Sequence, residues 1–297
     1  MKNTAAVNPI YRNKKNRVWE LDFLRGVAVI AMCFDHLMFD FAYCRRWFSG
    51  DKPENAFLDS AAKFAQTYWA TGTVADMGFR FWAHHIFVFL FLFMVGISCA
   101  FSRDNIKRGS LLAIVSLAFS GVTFIVHAID KTIMSGIVFG ILQCIALSIL
   151  CAAAVDILTK KVKWLNTYLP LILGTVILAC AIIACGVSDA YPDSISSRYL
   201  SDRTFETGHM LEYILGGGHS YGDDWFGLFP NVGMVLLGMY WGKSMYSVRR
   251  SLIPALDGKW NKPITFVGRH ALIFYLAHQV LITAVVGAIC LMAGYRF

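Results

Sequence analysis

Seven long apolar runs alternate along the chain with short polar or basic connectors. A transmembrane α-helix needs about 20 consecutive, mostly apolar residues, and each run approaches or exceeds that length. The pattern therefore predicts an all-α, polytopic membrane protein of about seven transmembrane helices, which form a single domain over residues 18–297. The predicted helices cover residues 20–43, 81–101, 110–128, 133–155, 165–186, 228–246 and 264–293.

The composition is that of an integral membrane protein. Hydrophobic residues make up 57% of the chain and charged residues 15%, and the mean hydropathy is +0.55. A soluble domain has about 45–50% apolar and about 25% charged residues, so a lipid bilayer is the predicted surrounding. Two stretches, 44–79 and 187–226, are too polar to span and are predicted as long loops, the first of them structured or containing an interfacial helix. A basic tail, 1–17, precedes the first helix.

The basic residues indicate how the chain crosses the membrane. The net charge of +8 is compatible with nucleic-acid binding, but the Lys and Arg residues form short clusters between apolar runs, which is typical of the positive-inside rule. No nucleic-acid partner is therefore predicted. With alternating sides, the tail and the connectors on its side hold 16 Lys and Arg, and the opposite side holds 9. We expect a cytoplasmic N-terminus, with both long loops and the C-terminus outside.

The first predicted helix carries several ionisable residues on one face. At about 100° per residue, Asp22, Arg25, His36 and Asp40 fall within roughly 60° of one line, whereas Asp35 points away from it. A charge at mid-bilayer costs about 2.5–3.5 kcal/mol, so this face is expected to line a polar cavity inside the protein. Arg25 and His36 are about 16 Å apart along the helix axis.

His36 is the candidate for proton transfer, because a neutral imidazole accepts a proton from a hydroxyl or amine near neutral pH. Asp40 lies one helical turn further on and is spaced to orient the ring through a hydrogen bond, as the carboxylate of a catalytic triad does. Asp35 would have to face a neighbouring helix or the outer loop to assist. The other interpretation is that these polar groups only anchor the helix end at the membrane surface.

Five segments, in order along the chain, resemble the transmembrane acyltransferases. The similarity is to the heparan-alpha-glucosaminide N-acetyltransferase type, in its compact bacterial form. Each segment alone is mostly apolar and weakly specific, but five in series are a specific signal. The segments are ELDFLRGVAVIAMCFDH, which contains Arg25 and His36, then FVFLFLFMVGISCAFSR, FGILQCIAL, WFGLFPNVGMVLLGMYWGK and FVGRHALIFYLAHQVLI.

The resemblance implies transfer of an acyl group, most simply acetyl, from cytoplasmic acetyl-CoA to a sugar or glycan on the outer side of a bacterial cytoplasmic membrane. The accepting atom would belong to a hydroxyl or an amine. His36 would be the general base or would carry the acyl group itself, with Asp40 and Asp35 as its partners. The lysosomal enzyme of this type has more spans and a large luminal domain, so its glycosaminoglycan substrate is not implied.

The resemblance also suggests where CoA binds. Arg25 and Arg269 lie within helices, where the orientation of the chain does not require a positive charge, and arginine can bind a phosphate through two hydrogen bonds. Together with Asp22 they are the candidate CoA-binding residues. His278 and Gln143, polar residues within predicted spans, are further candidates, although a hydrogen bond between helices would also explain each of them.

A proton-coupled transporter of small solutes is the main alternative, because buried Asp and His residues relay protons in such proteins. The sequence shows no internal repeat, and Gly or Pro breaks within its predicted helices are scarce, whereas transporters commonly have both. No metal site is predicted, since His84 and His85 lack ligand spacing, and at most one of them can face the cavity. The roles of these two residues and of the Gly216–Asp224 loop stay open, as does the oligomeric state, a homodimer included.

Overall fold

The structure, a computed structural model, describes residues 18–72, 78–129, 136–187, 210–216 and 224–296. These ranges contain helices and no β-strand. Short 3₁₀ turns occur at Cys44–Trp47 and Pro254–Leu256. The α-helices are α1 (Trp19–Tyr43), α2 (Ala56–Ala70), α3 (Phe79–Phe101), α4 (Asn105–Ile129), α5 (Ile141–Thr159), α6 (Lys163–Val187), α7 (Met210–Leu215), α8 (Leu228–Ser244), α9 (Lys262–Arg269) and α10 (Ala271–Met292).

In the described part of the chain, six helices are long and apolar enough to cross a membrane: α1, α3, α4, α5, α6 and α10. Helix α8 has 17 residues, about 25 Å at 1.5 Å per residue, and is shorter than a hydrocarbon core of about 30 Å. It packs against α3, α5 and α6 and takes the place of the sixth predicted span. The prediction of an all-α, polytopic membrane protein is confirmed.

Helix α8 packs closely against α3 at the centre of the protein. Glycines permit this approach, because a methyl group at Gly238 would collide with the carbonyl oxygen of Phe93, and one at Gly96 with the carbonyl oxygen of Val235. Val235 is fully buried at this contact, as is Leu92. The contact fixes the position of α3, which carries part of the cavity described below.

A second glycine contact holds α9 against the beginning of α1. A methyl group at Gly26 would collide with the backbone of Ile264, and one at Gly268 with the carbonyl oxygen of Asp22. Neither position can therefore carry a side chain without separating the two helices. The backbone of α9 consequently lies directly beside the charged residues at the beginning of α1.

The last predicted span, residues 264–293, is not one continuous helix. The chain leaves helical geometry at His270, where φ is −110° and ψ is 23°, so that α9 ends at Arg269 and α10 begins at Ala271. The apolar pattern runs on across this break and gives no sign of it. The break allows α9 and α10 to follow different directions, and Arg269 lies beside α1.

The stretch predicted as the first long loop, residues 44–79, contains α2. Asn55 caps this helix by accepting a hydrogen bond from the backbone N–H of Leu58 at 3.1 Å, and Ala65 is buried against α1. The tail 1–17 and most of the second long loop, including residues 217–223 of the Gly216–Asp224 segment, lie outside the described residues. The predictions made for them therefore stay predictions.

Candidate active site

A cavity of about 180 Å³ lies between α1, α2, α3, the beginning of α5, the segment before α8, and α10. Apolar and aromatic side chains form most of its wall, together with a few polar groups. This combination is typical of a small-molecule site, so the cavity is the candidate active site. The polar side chains in its wall are Asp35, His36, Tyr68, His84, Asp224 and Tyr275.

The cavity extends along α1 toward Arg25. On α1 its wall begins at Ala28 and ends at His36, which is about 12 Å of helix axis at 1.5 Å per residue. Arg25 lies three residues before Ala28, within one helical turn. Helix α3 runs alongside in the opposite direction, with His84 in the cavity wall and Ser98 bonded to Arg25. The cavity therefore extends along α1 from the turn after Arg25 to His36, the two polar residues that the sequence predicted to face the interior of the protein.

His36 faces His278 of α10, with 4.6 Å between the ring centroids and an interplanar angle of 69°. His278 is buried, and its Nδ1 lies 2.6 Å from the carbonyl oxygen of Tyr275. Nδ1 therefore carries a proton and donates it to this hydrogen bond. Within the described residues the Nε2 atom of His278 has no hydrogen-bond partner. Helix α10 thus brings a second imidazole to His36.

Asp35 is bonded to Arg80 and Tyr68. Arg80 donates from Nε and Nη2 to the two carboxylate oxygens at 2.8 and 2.9 Å, and the Tyr68 hydroxyl donates to Oδ1 at 2.9 Å. The side chains of Asp35 and Arg80 are only 16% and 9% exposed, so the pair is a largely buried, bidentate ion pair. It ties α1 to α2 and α3. Among the described residues, no hydrogen bond joins Asp35 to His36.

Helix α2 encloses the Arg80 guanidinium from the other side. The guanidinium carbon lies 3.4 Å from the ring centroid of Trp69, a cation–π contact. The pKa of Tyr68 lies above its ordinary value, because burial and the neighbouring Asp35 carboxylate both disfavour the phenolate. Tyr68 is therefore a hydrogen-bond donor at neutral pH and keeps α2 attached to the cavity wall.

Asp40 makes its hydrogen bonds with α10. Gln279 donates from Nε2 to Oδ1 at 3.0 Å, and the Thr283 hydroxyl donates to Oδ2 at 2.8 Å. Asp40 is only 1% exposed. Over the described ranges no hydrogen bond connects it to His36, although the two residues are one turn apart. No direct contact among the described residues therefore supports the expectation that Asp40 orients the His36 ring.

At the other end of the cavity, Asp22 joins Arg25 and Arg269, and these three residues form the Asp22 cluster. Arg25 Nη1 lies 3.3 Å from Oδ1 of Asp22, and Arg269 donates from Nε to Oδ2 at 3.1 Å. Arg25 also donates from Nη2 to the Ser98 hydroxyl at 2.8 Å. The side chain of Arg269 is 43% exposed. The structure thus brings together Asp22, Arg25 and Arg269, three of the five residues that the sequence suggested for CoA; His278 and Gln143 lie elsewhere.

Residues 17–280 match the family model described as heparan-alpha-glucosaminide N-acetyltransferase, catalytic. The chain belongs to this family. No curated protein and no solved structure matches the chain. The family match covers the Asp22 cluster, the cavity and His278 alike. It identifies the chain as a member of a membrane acetyltransferase family, and it favours an enzyme over a solute transporter.

Gln143, a further candidate from the family resemblance, is not part of the described cavity wall. Its Nε2 donates to the carbonyl oxygen of Ser116 at 3.2 Å and to the Ser120 hydroxyl, and its Oε1 accepts from the backbone N–H of Gly140 at 3.1 Å. Both polar atoms therefore connect the beginning of α5 to α4 and to its own N-terminus. These contacts favour the interpretation that Gln143 forms hydrogen bonds between helices.

His84 and His85 have different surroundings, as expected from the roughly 100° between adjacent helical residues. His84 lies in the cavity wall and stacks on Phe226, with an interplanar angle of 25°. The Nδ1 atom of His85 lies 2.7 Å from the carbonyl oxygen of Phe81, and His85 is not part of the described wall. No group of three His, Cys, Asp or Glu side chains among the described residues is arranged to hold a metal ion.

Three residues of the site, Tyr68, Arg80 and Tyr275, were not identified from the sequence. Tyr275 donates from its hydroxyl to Oδ2 of Asp224 at 3.0 Å, and both side chains lie in the cavity wall. Arg80 lies at the beginning of an apolar run, where a charged residue usually has a partner elsewhere in the fold. Its position in the sequence could therefore have identified it as a candidate. Tyr275 gives no comparable signal, because a tyrosine in a span is common near the membrane surface.

Proposed function

We propose that the protein transfers an acetyl group from cytoplasmic acetyl-CoA to a hydroxyl or amine of a saccharide on the outer side of a bacterial cytoplasmic membrane. The observation that carries this proposal is the cavity, which begins within one helical turn of Arg25 and ends at His36. A substrate held by its phosphates at Arg25 can therefore present its thioester at His36. Family membership supports the acetyl group, and the distribution of Lys and Arg supports the orientation.

The Asp22 cluster binds the phosphates of CoA. An arginine fork suits phosphate oxygens because it can donate two parallel hydrogen bonds. Asp22 contacts both arginines and holds them in place, and the partial exposure of Arg269 gives a phosphate access to the cluster. The pantetheine arm of CoA is long and uncharged, and the mostly apolar wall between Ala28 and His36 accommodates it.

His36 acts as the general base. It takes the proton of the acceptor hydroxyl or amine while the acceptor oxygen or nitrogen forms a bond to the thioester carbonyl carbon. The carbon–sulfur bond then breaks, and the departing CoA thiolate takes the proton from the His36 imidazolium. In the other route, one ring nitrogen of His36 bonds to the thioester carbon, and CoA leaves as a thiolate that takes the proton of the other ring nitrogen. The acceptor then attacks the acetyl-imidazole, the carbon–nitrogen bond to the ring breaks, and the released ring takes the acceptor's proton. Both routes require an unprotonated ring beside the thioester.

The test uses purified protein in lipid nanodiscs, with acetyl-CoA binding measured by calorimetry and acetyl transfer to a panel of saccharides measured as released CoA thiol. We expect Arg25→Ala to weaken binding, and His36→Ala to abolish transfer while the protein still binds acetyl-CoA. His127→Ala, at the end of α4 and outside the cavity wall, is the matched control. Full transfer by His36→Ala would remove the catalytic assignment. Proton-coupled solute uptake by vesicles without acetyl-CoA would replace the proposal with the transporter.

A further inference from the structure

His84 is a polar residue of the cavity wall. Its ring stacks on Phe226 with 6.4 Å between the centroids. Across the described residues its buried Nε2 atom has no hydrogen-bond partner. Most buried polar groups are paired, and leaving one unpaired costs about 1–3 kcal/mol. A ring that lines a cavity and has an unpaired nitrogen can turn toward a ligand in that cavity and pair with it.

The other polar side chains of the described wall are already committed. The hydroxyl groups of Tyr68 and Tyr275 donate to carboxylates that belong to the same wall. An ionised carboxylate accepts hydrogen bonds and cannot donate one. His36 has to accept a proton in the proposed reaction. His84 therefore supplies the side-chain N–H of this wall that is available to a substrate oxygen.

His84 and His36 face the same space from different helices. Both contribute to the cavity wall, His36 from α1 and His84 from α3. A thioester that reaches His36 from the Arg25 end is therefore flanked by His84 on α3.

We infer that His84 donates a hydrogen bond to the carbonyl oxygen of the acetyl thioester and stabilises the negative charge that forms there. The inference rests on the proposed acetyl transfer. When the acceptor bonds to the carbonyl carbon, one electron pair of the C=O bond moves to oxygen, which accepts the hydrogen bond from His84. When the C=O bond forms again, the carbon–sulfur bond breaks and CoA leaves as the thiolate. Removing one such donor typically lowers turnover about 10²–10³-fold.

The first experiment compares His84→Phe, which keeps a ring against Phe226 and removes the donor, with His84→Asn, which retains an N–H. His85→Phe is the matched control, because His85 lies next in sequence and outside the described cavity wall. We expect His84→Phe to lower kcat about 100-fold with little change in the KM for acetyl-CoA, because the hydrogen bond is weak in the bound thioester and strengthens when negative charge forms on its oxygen. His84→Asn should recover part of the rate, and His85→Phe should behave as wild type.

The second experiment requires no turnover. Acetyl-CoA labelled with ¹³C at the carbonyl is bound to the protein in nanodiscs, and its C=O stretch is recorded by infrared difference spectroscopy. A hydrogen bond from His84 lowers this frequency, so the band should move to higher frequency in His84→Phe and stay in place in His85→Phe. His84→Leu is a second donor-free variant in case His84→Phe does not fold.

The outcomes separate the two proposals. If acetyl-CoA binds and its carbonyl band is identical in wild type and His84→Phe, the role of His84 is overturned and the proposed function stands. If wild-type protein binds no acetyl-CoA, the proposed function is overturned, and the inference falls with it. A lower kcat in His84→Phe together with the expected band shift supports both.

Discussion

The imidazole ring of His36 meets that of His278 edge to face, with 4.6 Å between the ring centroids. His278 is in turn fixed by the carbonyl oxygen of Tyr275, 2.6 Å from its Nδ1. In the described part of the chain neither Asp35 nor Asp40 is bonded to His36. Among the described residues, the position of the proposed base is therefore set by a neighbouring aromatic ring and by helix packing.

We expect His278→Ala to lower kcat about 10- to 100-fold, because a displacement of about 1 Å in a catalytic group has an effect of this order. His278→Phe retains a ring beside His36 and should lose less. Steady-state kinetics and the pH dependence of kcat measure the effect, with Val280→Ala, an exposed position on the same helix, as the control. A weaker affinity for acetyl-CoA with an unchanged kcat would instead make His278 a substrate-binding residue.

Asp40→Asn should leave kcat within about tenfold of wild type. A carboxylate that orients a catalytic histidine contributes about 10⁴ to kcat in the serine-protease triad, but Asp40 is bonded to Gln279 and Thr283. The amide keeps one acceptor oxygen for these donors. Turnover and thermal stability in detergent are the measurements. A loss near 10⁴ in a folded protein would show that Asp40 reaches His36 during the reaction.

Asp35→Asn should destabilise the protein by about 3 kcal/mol, because it leaves the guanidinium of Arg80 buried without its counter-charge. The double variant Asp35→Asn with Arg80→Gln should regain part of that stability, since it leaves no uncompensated charge. Thermal unfolding in detergent measures both. Wild-type stability combined with lost turnover would show that Asp35 acts in catalysis.

Gly26→Ala should lower both stability and acetyl-CoA affinity, because the added methyl group collides with the backbone of Ile264 and forces α9 away from α1. Gly121→Ala is the control, since its added methyl group meets no atom within 4 Å. Alanine there should be neutral or should stabilise the helix by about 0.5–1 kcal/mol. Equal affinity in the two variants would show that the contact between α1 and α9 does not position the Asp22 cluster.

The sequence of α1 alone predicted one face that points into the protein, but Asp35, which lies off that face, also lines the cavity. A period of about 100° per residue puts Asp22, Arg25 and His36 on one side, and the structure has the Asp22 cluster and the cavity on that side. Asp40 shares this face and is buried as expected. Its partners on α10 were not predicted, because periodicity shows which face is inward without showing which helix lies opposite.

The sequence did not predict which residues on different helices form pairs. Asp35 and Arg80 are 45 residues apart, and Asp22 and Arg269 are 247 apart. Such pairs depend on the directions of whole helices, which the glycine contacts and the break at His270 help to set. Neither the glycines nor the break alters the apolar pattern of the sequence, so the pattern does not reveal the pairs. The family resemblance named Arg269 and His278 as site residues, but it did not show that they contact Asp22 and His36.

The separation of Asp22 from Arg269 has a consequence for how the protein is made. Ribosomes add about 5–20 residues per second, so Arg269 is synthesised on the order of 10 to 50 seconds after Asp22. During that time Asp22 has Arg25 beside it, and Tyr68 and Arg80 are already made and can bond to Asp35. A nascent chain that stops before α9 therefore holds α1 against α2 and α3 but lacks the arginine that completes the Asp22 cluster.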